Sequence, residues 1–212
     1  MRTKTLLLTA VLSAAGAATS LAQVYSVNAV GYVNKTLVPG FQLIANPLNN
    51  TAANGNTVSN LFTAPPEGTT IYKYSGTAFS ANGFEFGAWA NPNQTLVPGE
   101  GAFVLLPAGP NLTVTFVGEV MQGTLVNAIP QGLSIRSSMV PQAGLLQTAL
   151  GFVPQEGDTI YQYDLSLVPP RYATRAFEFG AWSQEPTIAI AESFFINAPA
   201  AKSWTRVFNV SP

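Results

Sequence analysis

The feature that most limits what this chain can become is that it repeats itself. Glu67-Gly68-Thr69-Thr70-Ile71-Tyr72-Lys73-Tyr74 returns as Glu156-Gly157-Asp158-Thr159-Ile160-Tyr161-Gln162-Tyr163. Phe84-Glu85-Phe86-Gly87-Ala88-Trp89 returns unchanged as Phe177-Glu178-Phe179-Gly180-Ala181-Trp182. Glu100-Gly101-Ala102-Phe103-Val104 is answered by Glu192-Ser193-Phe194-Phe195-Ile196, and Thr113-Val114-Thr115-Phe116-Val117 by Thr205-Arg206-Val207-Phe208-Asn209. The four anchors keep their order at offsets of 89, 93, 92 and 92 residues. Drift in the offset falls between anchors, where loops tolerate insertion. Two units of about 90 residues follow, 38–122 and 123–212. Each has a similar lead-in: Val27-Asn28-Ala29-Val30-Gly31-Tyr32-Val33 echoes Val117-Gly118-Glu119-Val120-Met121-Gln122-Gly123.

Within each unit the pattern is that of short strands. Thr70 to Tyr74 puts Ile71 and Lys73 on one face, Tyr72 and Tyr74 on the other. Leu112, Val114 and Phe116 alternate with threonines. Both are period-two patterns of β-strands. Ala102 to Leu106 is continuously apolar, as in a strand covered on both faces. Between the runs lie Pro39-Gly40, Asn54-Gly55, Pro65-Pro66-Glu67-Gly68, Asn82-Gly83 and Pro98-Gly99, all turn formers. Sixteen prolines leave room only for short helices, with Thr57–Phe62 and Ala143–Leu150 the best candidates. The expected fold is all-β: two tandem β-sandwich or small-barrel repeats. Phe84, Phe86, Trp89, Phe177, Phe179 and Trp182 are the expected core aromatics, because aromatic rings in strand patterns dominate such cores.

The chain opens with Arg2 and Lys4, the apolar run Leu6 to Leu12, and small residues ending Ser20-Leu21-Ala22. That order predicts a secretory signal peptide over residues 1–22 and a secreted, extracellular or cell-surface protein. No later segment is apolar for long enough to cross a bilayer as a helix, so no membrane insertion is expected. After the leader, 7 basic and 10 acidic residues remain, and no basic patch is present to meet nucleic acid. Cysteine and histidine are absent, which removes disulfides, His-based acid–base catalysis and the usual zinc sites. Charged residues are only 9% of the chain, so little repulsion keeps copies apart.

Gly40 to Leu48, Pro98 to Val104, Thr115 to Val120, Gly157-Asp158-x-Ile160-Tyr161 and Ser203 to Phe208 resemble a family of secreted tandem-repeat β proteins of Verrucomicrobia-type bacteria. The resemblance implies a bacterial, extracellular setting. It implies no activity and no catalytic residues.

Read for chemistry, the acids fall at matched places: Glu67 with Glu156, Glu85 with Glu178, Glu100 with Glu192. Glycoside hydrolysis needs one asymmetric pair of carboxylates, and duplication yields two like half-sites instead. Glu156, Asp158 and Asp164 lack the spacing of a calcium loop. No enzyme activity, cofactor or metal is expected. Lys35, Lys73 and Lys202 are the lysines after the leader, any of which would have to supply a covalent Lys–Asp or Lys–Asn staple. The leading expectation is a structural protein that polymerises with copies of itself into a filament, sheath or surface layer. The expected mechanism is strand addition to a neighbour by an N-terminal arm, residues 23–37, carrying Val24, Tyr25, Val27, Ala29, Val30, Tyr32 and Val33. Against it stands an arm that folds back and covers its own sheet edge. The alternative function is a soluble module that binds polysaccharide or a cell-surface partner through stacked aromatics.

Overall fold

The computed structural model describes residues 29–210. Strand accounts for 49% and helix for 2%, and among the described residues no sheet closes into a barrel. Of the two expected architectures, the sandwich is the one formed.

The first unit contains β1 (Val30–Leu37), β2 (Gly40–Ile44), α1 (Val58–Leu61), β3 (Thr70–Tyr74), β4 (Phe79–Glu85), β5 (Ala88–Trp89), β6 (Ala102–Leu106) and β7 (Leu112–Glu119). The second contains β8 (Gly123–Ile129), β9 (Gly132–Ser137), β10 (Gly144–Leu145), β11 (Thr159–Asp164), β12 (Arg171–Glu178), β13 (Ala181–Trp182), β14 (Thr187–Ile188), β15 (Ser193–Ala198) and β16 (Lys202–Phe208). Each unit builds a five-stranded antiparallel sheet, ordered β2-β6-β3-β4-β5 in the first and β9-β15-β11-β12-β13 in the second. Each also builds a two-stranded ribbon, β1-β7 and β8-β16. β10 and β14 pair in the second unit, where the first has a single bridge between Thr57 and Thr95.

The described part of the arm is therefore the first strand of its own unit. β1 pairs with β7 from Val30 opposite Glu119 to Leu37 opposite Leu112. β8 pairs with β16 in the same way, from Gly123 opposite Phe208 to Lys202 opposite Ile129. This corrects both the boundary at residue 38 and the expectation of an arm given to a neighbour, as far as residues 30–37 are concerned. The physical reason lies in β1 itself: it buries Leu37 beside Val114 and Phe116 in the unit's own core. The echo between 27–33 and 117–123 does not mark equivalent strands, because Val117 to Glu119 closes β7. Val24, Tyr25 and Val27 lie outside the described residues.

The alternation along the strands explains a four-layer stack of ribbon, sheet, sheet and ribbon. Ala102, Val104 and Leu106 of β6 join Ile71 of β3 and Phe116 of β7 in the first core. Phe194, Ile196 and Ala198 of β15 join Ile160 of β11 and Trp204 of β16 in the second. The intervening residues, Phe103 and Phe195, face the other way and meet Leu43, Ile135, Tyr72, Tyr74, Tyr161 and Tyr163 between the sheets. The continuous apolar runs thus mark strands covered on both faces.

The seam between the sheets is also bonded through its backbone. Ser137 N and Asn127 Nδ2 donate to Gly99 O at 3.1 and 3.0 Å, and Ser137 Oγ donates to Glu100 O at 2.7 Å. Ser193 Oγ donates to Ile44 O at 3.0 Å and Ala45 N to Ala191 O at 3.1 Å. Gly101 is required here, because a Cβ at that position would overlap Ile135 and Ser193.

Of the two helix candidates, only the first forms, as the single turn α1. Residues 146–150 form hydrogen-bonded turns instead, with Ala149 N and Leu150 N both donating to Leu145 O at 2.9 Å.

Candidate functional site

The identical hexapeptides form two hairpin tips. Phe86 and Gly87 have φ of 54° and 76°, and so do Phe179 and Gly180. Two successive positive φ values are the mark of a type I′ turn, which favours Asn-Gly. A phenylalanine in that conformation costs about 1–2 kcal/mol. The turn is held from outside itself. Glu67 Oε2 accepts from Phe86 N and Oε1 from Gly87 N, both at 2.7 Å. Glu156 does the same for Phe179 N at 2.9 Å and Gly180 N at 2.6 Å. Gly68 N and Gly157 N donate to Phe84 O and Phe177 O, each at 2.9 Å, and so bring the two glutamates beside the tips.

Both tip phenylalanines are 98% exposed. This corrects their assignment to the core. Of the other four aromatics of the motif, Trp89, Phe84 and Trp182 pack on the cores and Phe177 packs on Trp182: Phe84 lies edge-on to Trp89 and Phe177 to Trp182, each at 5.3 Å. Trp89 Nε1 donates to Phe62 O at 3.3 Å, and Trp182 Nε1 to Gln147 Oε1 at 2.9 Å. Chain reversal at Phe86 and Phe179 turns the middle ring outward, where strand alternation would have buried it.

Between the sheets lie two open apolar clefts. One, of about 490 Å³, is lined by Phe79, Leu133, Tyr161, Tyr172, Phe195 and Asn197. The other, of about 400 Å³, is lined by Phe41, Tyr72, Phe79, Phe103, Tyr163 and Tyr172. The repeat relates them: Phe41 corresponds to Leu133, Tyr72 to Tyr161, Phe79 to Tyr172 and Phe103 to Phe195. Phe79 and Tyr172 are walls of both. Phe79 stands 4.9 Å from Tyr74, and Tyr172 5.4 Å from Tyr163, measured between ring centres. Burial, and then the neighbouring Tyr163, push the Tyr172 hydroxyl above the usual phenol range, so it remains a proton donor at neutral pH.

A third, polar cleft of about 350 Å³ includes Lys35, Gln42, Gln162, Asp164, Arg175 and Glu192. Asp164 is held below the usual carboxylate range by Ser166, whose hydroxyl and backbone N–H both donate to it.

Three further acids, Glu100, Glu192 and Asp158, serve local structure. Glu100 Oε2 accepts from Val97 N at 3.0 Å and pairs with Lys73 at 2.7 Å. Glu192 accepts from Ala189 N at 2.8 Å and from Gln162 Nε2 at 3.2 Å. Asp158 is buried in a pair with Lys202, whose ammonium also lies 4.5 Å from the Phe152 ring centre. Glu156, Asp158 and Asp164 are thus engaged separately. Among the described residues no three metal-ligating side chains of the His, Cys, Asp and Glu types come together.

No family model matches this chain, and neither a curated protein nor a solved structure is significantly similar to it. The features of this molecule that bear on function are the tips, the clefts and the strand edges. The tips were the part sequence reasoning missed. The available signal was a Phe-Gly pair midway between a Phe-Glu and an Ala-Trp flank, with glycine at the second turn position in both copies.

Proposed function

We propose that this protein is an exported structural protein that assembles with copies of itself. The observation that carries the reading is the pair of identical phenylalanine tips, each strained, braced by a glutamate and wholly exposed. Backbone strain held in place by a neighbouring side chain clusters at contact and ligand sites, and here it presents a large apolar ring to a partner. Two further features support it. β1 and β8 lie in two-stranded ribbons, and among the described residues no other strand pairs with their outer edges. The low charge content leaves those edges weakly protected.

Burying one phenylalanine ring contributes about 1.5–3 kcal/mol. Association costs at least about 4 kcal/mol in lost freedom. One tip alone would therefore bind weakly. Two tips engaged together, or tips combined with strand pairing, reach useful affinity through effective concentration. The test is sedimentation of the mature chain over a wide concentration range, with electron microscopy of the heaviest fraction. Growth of high-mass species with concentration is expected. A single monomer boundary at millimolar protein would defeat the proposal.

A second reading is supported by Tyr72, Tyr161, Tyr163 and Tyr172, whose rings line the clefts. Aromatic platforms with hydroxyl groups suit sugar rings, so polysaccharide is the alternative partner. Retardation of a monomer in a polysaccharide gel, abolished by Tyr172→Ala, would favour it.

A further inference from the structure

We propose that each phenylalanine tip docks into an aromatic cleft of a second copy, so that one chain carries two knobs and two matching holes. This rests on the self-assembly reading and names the surface through which it works.

Four observations point to a second copy as the occupant. The first is correspondence: the repeat that generates two tips also generates two clefts, and Phe86 relates to Phe179 as one cleft relates to the other. The second is chemistry. Neither cleft is lined by a charged residue, and the walls are rings already in edge-on contact, such as Phe103 with Tyr163 at 5.6 Å and Phe41 with Phe103 at 6.0 Å. An incoming uncharged ring continues that packing. The third is readiness. Glu67 and Glu156 fix the tips before any partner arrives, so little order is lost on docking.

The fourth is reach. β4 runs unbroken from Phe79, a wall of both clefts, to Glu85, next to the tip. Seven residue steps of strand lead from Phe79 to Phe86, about 23 Å at the rise of a β-strand. The same seven steps lead from Tyr172 to Phe179. A tip therefore stands far from the clefts of its own chain and meets only those of another. Knob and hole lie on different parts of the surface, so each contact is heterologous, and an array of copies grows open-ended where the contacts do not close on themselves.

The experiment uses the full mature chain in three forms: wild type, Phe86→Gly with Phe179→Gly, and Phe79→Asp with Tyr172→Asp. Glycine accepts the positive φ of the tip, so the first variant loses the rings without loss of the turn. Phe79 and Tyr172 are about half exposed, so charge there fills the clefts with little damage to the core. In analytical ultracentrifugation each variant alone is expected to stay monomeric to at least tenfold higher concentration than wild type. An equimolar mixture of the two variants is expected to recover assembly, because one supplies holes and the other knobs.

A crosslinking arm decides the matter even if the charged variant folds poorly. The chain has no cysteine, so single cysteines are unambiguous. Ala88→Cys beside the tip, mixed with Asn197→Cys at the cleft, is expected to yield a dimer with a short bis-maleimide. Ala88→Cys mixed with Val153→Cys, an exposed position away from the cleft lining, is not. No dimer above that control, under conditions where wild type assembles, overturns the docking site while leaving self-assembly intact. A wild type that never assembles overturns both.

Discussion

The two repeats keep one exposed feature unchanged while several of their buried positions differ. The six residues of the tip are identical, including a phenylalanine that solvent surrounds in both copies. Inside, the copies diverge. Thr69, fully buried in the first repeat, donates its hydroxyl to Pro66 O at 2.7 Å. Its counterpart Asp158 accepts from Gln155 N at 2.7 Å and pairs with Lys202. Val114 is buried in β7, whereas its counterpart Arg206 is only partly buried in β16 and bonds Gln142 at 2.7 Å. A core position needs only some arrangement that fills space and satisfies polar atoms, and several residue types do so. A contact surface used by both copies allows fewer solutions. The contrast teaches that a buried position such as 69 or 158 admits different polar arrangements, whereas the exposed tip keeps one sequence in both copies.

The largest effect should come from the buried ion pair. Asp158→Ala strands the Lys202 ammonium in the interior and is expected to destabilise by about 3–5 kcal/mol. Thr69→Ala in the first repeat should cost only about 1 kcal/mol, one hydrogen bond. Urea denaturation followed by Trp fluorescence compares them. Equal losses would break the distinction between the two interiors. Replacing both partners, as Asp158→Thr with Lys202→Met, should recover most of the loss.

Next is the seam, where Gly101 of one repeat faces Ser193 of the other although the two positions correspond. Gly101→Ala should force the sheets apart and cost about 1–3 kcal/mol. Ser193→Ala removes the bond to Ile44 O and should cost about 1 kcal/mol. Thermal melts rank the two.

The tips should respond alike. Glu67→Ala and Glu156→Ala each remove two bonds to turn amides, and each should lose about 1 kcal/mol. Amide exchange at Gly87 and Gly180 should accelerate to the same degree. A marked inequality would show that the hexapeptides are not equivalent in structure.

The smallest effect is one of pH. Burial raises the Glu185 carboxyl, but the N–H and hydroxyl of Thr148 and the N–H of Gln147 outweigh it and leave the group below its ordinary value. The stability it adds is complete above the unfolded pKa of about 4.3 and fades as pH falls through the lower folded value. In the first repeat backbone carbonyls take that place: Val58 N donates to Gln94 O at 2.7 Å and Ser59 N to Pro92 O at 3.3 Å. Glu185→Gln should flatten the acid limb of the stability curve slightly, by less than the ~1 kcal/mol ceiling for exposed charges.

Much of this fold was legible in the residues. The anchors located both units, and β3, β6 and β7 appear where alternation and apolar runs placed them. The four extra residues that move the offset from 89 to 93 fall in the connection after Tyr163, between β11 and β12. What alternation could not supply was the identity of each cover. Ile71 and Tyr72 point to opposite faces, but nothing local says that one face meets the unit's own ribbon and the other a second sheet. The tip was hidden for a related reason. Its stabilising glutamate sits nineteen residues earlier in the chain, so the hexapeptide alone reads as strand. The lead-in strand was misaligned because the sequences 27–33 and 117–123 look alike, although Val30 to Val33 and Val117 to Glu119 belong to the two partner strands of one ribbon.

The ribbons carry a consequence for ancestry. Val30 lies opposite Glu119, and Gly123 opposite Phe208, so each module enters and leaves at neighbouring points. A module with adjacent doorways can be copied in tandem, spliced out or circularly rewired without disturbing its interior. Only residues 120–122 separate β7 from β8. Gene duplication would have needed little more than that joint to turn one module into two.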